Sequence, residues 1–193
     1  MKEGTVVDYN ALIDKYYSDN AELKAILLTH SRQVADRALA ILKVHPEWVE
    51  SGEVDPVFVE EAAMLHDIGV LFCDAPRIYC KGQHAYIEHG YLGAELLRKE
   101  GLPKHAAVAE RHTGTGITLE QVLREQLPIP LQDYCPMSLE EKLICYADKF
   151  YSKTRLGEDK PMSKIRLHMW KYGPDAVRRF DDMQEFFEPE NDG

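Results

Sequence analysis

Residues 60–69 read Glu60-Glu61-Ala62-Ala63-Met64-Leu65-His66-Asp67-Ile68-Gly69. The apolar residues Ala62 to Leu65 predict a helix lying deep in a core, and that helix delivers an imidazole and a carboxylate side by side at its end. Buried polar groups need partners, and a divalent cation satisfies both while fixing their protonation states. Taken alone, the dipeptide reads equally well as a carboxylate at a helix terminus beside a core histidine. The remainder of the chain has to decide.

Working outward, Asp55-Pro56 marks the start of this helix, because Asp accepts free backbone amides and Pro at the first helical position has none to satisfy. Before it, His45-Pro46 and Ser51-Gly52 read as a loop. A long helix is predicted over 21–44, with Leu23, Ile26, Leu27, His30, Val34, Ala38, Ile41 and Leu42 at helical spacing. His30 falls on that apolar stripe, where a lone histidine is more often a satisfied core residue than a ligand. A short helix capped by Asp8 precedes it and runs through Tyr16 and Tyr17.

After the central helix, 70–83 reads as a loop carrying Arg77 and Lys81, long enough to be functional and able to cover a substrate. Helices follow over about 84–99, with His89 on its core stripe and His84 at a rim, and over 103–112, ending at Arg111-His112. Thr113-Gly114-Thr115-Gly116 is a weak phosphate-loop signal and an ordinary helix stop. A short helix over 118–126 leads to a capping box at Ser138 and Glu141. The helix after it runs through Tyr151 and carries Asp148 among apolar neighbours, with Lys149 facing another direction. Closing helices are expected over 162–172 and 176–187; Trp170 and Phe180 read as core or dimer contacts, and His168 lacks the company of a ligand.

The chain has 193 residues, suiting one compact unit over 1–193, with a core at about 21–155 and a helical extension at about 156–193. Its 23 Lys and Arg against 33 Asp and Glu give a net charge of −10, which argues against a general nucleic-acid surface. An anionic substrate would need positive charge supplied locally. Four cysteines, with no Cys-x-x-Cys pair, read as free thiols. The start, Met1 to Asp8, has no apolar signal run and no later stretch approaches a membrane span, so a cytoplasmic location is expected.

His30, His66, His89, His112 and Asp148 lie on or at the ends of separate apolar helices, and Asp67 adjoins the second. One site where helices converge explains them all. His30, His66, Asp67 and Asp148 would hold one cation, and His89 and His112 with a bridging Asp67 a second.

In this order, His, His-Asp, His, His, Asp, the sequence resembles the HD-domain superfamily of metal-dependent phosphohydrolases, and His66-Asp67-Ile68-Gly69 matches its HDIG subgroup. The resemblance covers about 26–151. His89-Gly90-Tyr91-Leu92-Gly93-Ala94-Glu95-Leu96-Leu97 looks like the segment carrying the second-metal histidine, and Arg111-His112 like the next ligand. The resemblance implies an all-α HD-domain helical bundle that hydrolyses a phosphate ester or anhydride. Cyclic-dinucleotide phosphodiesterases of the superfamily have Lys where this chain has Val70, and His-His-Glu and Gly-Tyr-Pro where it has Arg111-His112-Thr113 and Gly114-Thr115-Gly116. A cyclic dinucleotide is therefore not expected. The ligand order also resembles symmetrical diadenosine tetraphosphate hydrolases, and some members with a similar set are iron oxygenases.

The expected cofactors are two divalent ions, Fe, Mn or Co, with Zn, Ni or Mg as alternatives. The expected substrate is a small phosphorylated compound of nucleotide kind, attacked by a metal-held hydroxide. Neither nucleic acid nor membrane is an expected partner, and a homodimer is left open. Asp67 with Lys81 and Arg111 forms the expected catalytic set, and Arg77, Lys149 and Arg155 are further candidate phosphate contacts, each of a kind more often found as a solvated surface charge. A nucleotide-sensing domain without turnover and a di-iron oxygenase are the alternatives.

Overall fold

A computed structural model of the chain describes residues 6–189. The reading of residues 1–5 as free of a leader, and the last residues of the 1–193 unit, lie outside this range. Ten α-helices occur among the described residues: α1 (Tyr9–Tyr17), α2 (Ala21–Val44), α3 (Pro46–Glu50), α4 (Pro56–Leu65), α5 (His89–Lys99), α6 (Pro103–Arg111), α7 (Leu119–Glu125), α8 (Leu139–Asp148), α9 (Met162–Met169) and α10 (Pro174–Phe187). Extended structure among them amounts to a two-residue hairpin, β1 (Asp74–Ala75) against β2 (Cys80–Lys81). The fold is all-α.

Local chemistry sets the helix starts. The Asp8 carboxylate accepts from the Ala11 amide, Asn20 from Leu23 and Asp55 from Val57, so three helices begin on side chains that satisfy free amides. At α8 the Ser138 hydroxyl accepts from the Glu141 amide, but the reciprocal half of the expected box goes elsewhere: Glu141 accepts from Met137 and pairs with Arg111.

The hydrophobic interior forms around α2 and α4, whose Val34, Ala35, Ala38, Ala62 and Ala63 are fully buried. Small residues here let the two helices come close. On one side Leu143, Ile144, Tyr146 and Ala147 of α8 join Ile165 and Met169 of α9 and Phe180 and Phe187 of α10. On the other, Ile13, Tyr17, Leu23, Leu27 and Leu65 pack with Ile68, Val70, Ala94 and Leu97.

Several expectations are corrected. The loop over 45–52 contains α3, started by Pro46. The stretch over 70–83 holds 3-10 turns at Ile68–Phe72 and Pro76–Ile78 as well as the hairpin. The helix expected from residue 84 starts at His89, after a 3-10 turn at Tyr86–Glu88. Helix α8 stops at Asp148 instead of continuing to Tyr151. Phe180 is buried, whereas Trp170 is 63% exposed and does not belong to the core.

Candidate metal centre

The six expected ligand residues come from five places in the chain and meet. Ligand atoms of His30, His66, Asp67 and Asp148 lie within 4.8 Å of one another, as do those of Asp67, His89 and His112. Asp67 belongs to both groups.

Helix ends create this meeting. Helix α4 stops at Leu65 and the next 3-10 turn begins at Ile68, so His66 and Asp67 sit in the break between them. Tyr17 secures the break, its buried hydroxyl donating to the Ile68 carbonyl at 2.7 Å. Gly69 acts by proximity more than by ending the helix: a Cβ there would lie 2.1 Å from the His89 carbonyl oxygen and 2.4 Å from the Gly93 nitrogen. Only glycine lets the Asp67 turn rest on α5, which carries His89.

Three histidines share one local device. Nδ1 of His66 lies 2.6 Å from the Ala63 carbonyl, Nδ1 of His89 2.6 Å from that of Tyr86, and Nδ1 of His112 2.8 Å from that of Ala109. A carbonyl can only accept, so each Nδ1 donates and each Nε2 is the nitrogen turned to the centre. The result at His89 and His112 is two Nε2 atoms only 3.0 Å apart. Neutral rings of this tautomer would oppose lone pair to lone pair.

The same mismatch runs through the first group. His30 Nε2 approaches Asp67 Oδ2 at 3.1 Å and Asp148 Oδ1 at 3.0 Å, and His66 Nε2 approaches Asp67 Oδ2 at 3.1 Å. These are ion-pair distances without hydrogen-bond alignment: both nitrogens of His30, Nε2 of His66 and both Asp67 oxygens are buried and lack a hydrogen-bond partner. Buried imidazole nitrogens and carboxylate oxygens without aligned hydrogen bonds fit a divalent cation, which is bound by such atoms and needs no angular match to a proton.

The charges respond to each other. Burial would lower the His66 pKa, but the Asp67 charge and contact with Asp148 overcome it and raise it to about 9. His89 goes the other way, to about 3, driven by burial and by His112 against the pull of Asp67. Burial would raise Asp67, yet His66 and Lys153 hold it well below the usual carboxylate range.

The centre opens on a cleft of about 610 Å³ lined by His30, His89, His112 and Asp148. Arg77, Lys149, Lys153 and Lys160 also line it, as do Tyr86, Tyr172, Ile165 and Met169. The ammonium of Lys153 lies 2.5 Å from Asp67 Oδ2, and that of Lys149 lies 2.7 Å from Asp148 Oδ2 and 3.0 Å from the His112 carbonyl. Lys149 therefore faces the centre, against the sequence expectation: its backbone keeps helical angles as the C-cap of α8, and its long flexible side chain carries the ammonium back to Asp148.

The two expected phosphate contacts Lys81 and Arg111 are not brought to the cleft. Lys81 is exposed on β2, and Arg111 is tied to Glu141 at 3.0 Å. Arg155 lines a small neighbouring depression. His84 is an exposed residue bonded to Glu88, and His168 lines the cleft without joining either ligand group. Sequence reading missed Lys153 and Lys160; the signal available was a basic run, Lys149 to Lys164, following directly on Asp148 in an acidic chain.

The HD domain family matches residues 27–152. An uncharacterized protein of Methanocaldococcus jannaschii is 38% identical over 128 residues, covering 65% of this chain and 68% of that protein. A tRNA (cytidine(56)-2'-O)-methyltransferase of Picrophilus torridus is 30% identical over 145 residues, 74% of this chain and 39% of the enzyme. The Thermoplasma volcanium protein of the same name is 29% identical over 148 residues, 76% of this chain and 37% of the enzyme. The chain thus spans under two fifths of either methyltransferase. No solved structure matches it.

Proposed function

The chain belongs to the HD-domain family, and from that membership we propose that it is a metal-dependent phosphohydrolase of the HDIG subgroup, cleaving a phosphate ester or anhydride of a small nucleotide-like substrate at a dinuclear centre. The observation that carries this reading is the facing pair of His89 and His112 Nε2 atoms at 3.0 Å beside an Asp67 shared with the first ligand group. One carboxylate between two sets of lone pairs suits two neighbouring cations, whose repulsion it offsets.

Cations held there would supply Lewis acidity toward phosphoryl oxygens and acidify a water molecule. The chain's own residues do the rest. Backbone carbonyls fix the His66, His89 and His112 rings through Nδ1, so the ligand geometry exists before substrate arrives. Lys149 and Lys153 place positive charge at the mouth of the centre, where an anionic substrate must enter an acidic protein. The Tyr86, Tyr172, Ile165 and Met169 side chains offer an apolar wall, and the cleft volume suits a ligand of nucleotide size.

Because α9 and the turn after it contribute to this wall, we take the whole chain as one functional unit. Among the described residues no helix is long and apolar enough to cross a membrane. The tRNA methyltransferase activity in the names of those much longer proteins is not part of the proposal.

The same ligands would admit a di-iron oxygenase, but four basic side chains around the cleft favour a phosphorylated substrate. The test is a phosphate-release screen over nucleotides with chain stripped of metal and reloaded with manganese, iron or cobalt. Release should stop with chelator and return with metal. Turnover that survives rigorous metal removal, or dioxygen consumption by the iron-loaded chain with no phosphate released, would overturn the reading.

A further inference from the structure

Of the four basic residues lining the cleft, two are already committed: Lys149 to Asp148 and Lys153 to Asp67. The other two, Arg77 and Lys160, have no carboxylate within ion-pair distance among the described residues. Asp148 is the one carboxylate lining the cleft among those residues, and it is turned to His30 and Lys149. The cleft therefore holds more positive charge than its ligand carboxylates neutralise.

Both unpaired cations stand on backbone that is tied down. Arg77 lies in the 3-10 turn Pro76–Ile78 at the tip of the β1–β2 hairpin, where the Asn20 side-chain Nδ2 donates to the Tyr79 carbonyl at 2.9 Å. The hairpin base is fixed as well, since a Cβ on Gly82 would lie 2.0 Å from the Phe72 carbonyl oxygen. The Lys160 amide donates to the Phe150 carbonyl at 2.7 Å, drawing its loop back onto the end of α8. Burial, together with Lys149, Lys153 and Arg155, lowers the Lys160 pKa to about 8 despite Asp148. That is the response of an ammonium drawn out of water first and crowded by like charge second.

We propose that Arg77 and Lys160 form a second anion subsite in this cleft, receiving a phosphoryl group of the substrate other than the one held at the metal centre. The substrate then carries at least two phosphoryl groups, and these two residues set the preference for it over a monophosphate. The inference rests on the phosphohydrolase reading of the same cleft. Arg77 supplies a planar fork matched to phosphate oxygens and Lys160 a point charge, a combination that recognises an oligoanion without depending on what is attached to it.

The test uses the full chain loaded with magnesium, titrated calorimetrically with inorganic orthophosphate and with inorganic pyrophosphate, free magnesium being held in excess so that each titrant is its magnesium complex. Arg77→Ala and Lys160→Gln are compared with wild type and with Lys81→Ala as an off-cleft control, after circular dichroism and metal content are matched. Arg77 is exposed, so its replacement leaves the core untouched. Each cleft variant should lose about tenfold in pyrophosphate affinity, the loss of one charge-assisted contact. Orthophosphate affinity should change less than about twofold.

Unchanged pyrophosphate binding in both variants, or equal weakening of both anions, would overturn the subsite. Selective loss of pyrophosphate binding in a chain that hydrolyses nothing would keep the subsite and reject the hydrolase. Hydrolysis with no effect of either substitution would do the reverse.

Discussion

The Lys153 ammonium lies 2.5 Å from Oδ2 of Asp67, the carboxylate common to both ligand groups. A cation there competes with a metal ion for the same oxygen and repels it, while favouring an anion that approaches from the cleft. Like charges a few ångströms apart repel by about 4 kcal/mol even at an effective dielectric of about 20. Lys153→Met should therefore bind metal tighter, by about tenfold once solvent screening is allowed for, and hydrolyse at least about tenfold more slowly. Chelator competition measures the first and phosphate release the second. Metal affinity and turnover falling together would instead make Lys153 a structural prop.

Gly69 rests against α5 so closely that a Cβ would lie 2.7 Å or less from three backbone atoms of His89 and Gly93. Backbone cannot swing aside as a side chain end can. Gly69→Ala should cost about 3 kcal/mol or more, at the upper end for overpacking. The displaced turn carries Asp67 and the displaced helix carries His89, so metal content should fall with the melting temperature. A variant as stable and as fully loaded as wild type would show that the contact is slack.

Proton release should separate the two ligand groups. In the metal-free chain His66 keeps its proton to about 9, because Asp67 and Asp148 outweigh burial, whereas His89 is pushed down to about 3 and is already neutral. A raised histidine pKa stabilises the folded metal-free chain most below the unfolded value of about 6.5, and that contribution is lost as pH rises through about 9. A cation entering the first group must displace the proton. Its affinity should rise about tenfold per pH unit from neutrality and level off near about 9. Calorimetry at pH 7 in buffers of different protonation enthalpy should show more proton release on filling this group than on filling the other. Release of no proton at either would refute the assignment.

The sequence carries the helices because their signals are local: Asp8, Asn20 and Asp55 cap where their chemistry allows, and the apolar stripe of α2 has helical period. The six clustered residues were legible for a related reason, as polar groups set in apolar stretches that no lone core role explains. What surrounds the cluster was not. Arg111 adjoins a ligand in sequence but turns to Glu141, a partner thirty residues away, and Lys81 follows the loop onto an exposed strand. Lys149 was misdirected because a helical backbone sets only where a side chain starts: it leaves α8 about 100° round from Asp148, and its flexible stem returns the ammonium to the Asp148 carboxylate. Lys153 and Lys160 sit in irregular backbone, where no period assigns a direction.

The remaining prediction separates two metals from one. His30, His66 and Asp148 contribute to the first group alone and His89 and His112 to the second alone, with Asp67 in both. His89→Ala or His112→Ala should leave about one metal per chain where wild type holds about two, and His30→Ala should weaken the first group. His89→Ala or His112→Ala also removes one of the opposed Nε2 lone pairs at 3.0 Å, so the metal-free His89→Ala chain should be no less stable than expected for a lost ring. Asp67→Ala should lower occupancy of both groups, because without the shared carboxylate each cation meets the other at short range unscreened. His84→Ala serves as control, its ring being exposed and paired with Glu88. Metal is counted by mass spectrometry on each folded variant, beside its hydrolysis rate. Full metal content and full activity in both His89→Ala and His112→Ala would reduce these histidines to core residues and the dinuclear mechanism would have to be given up.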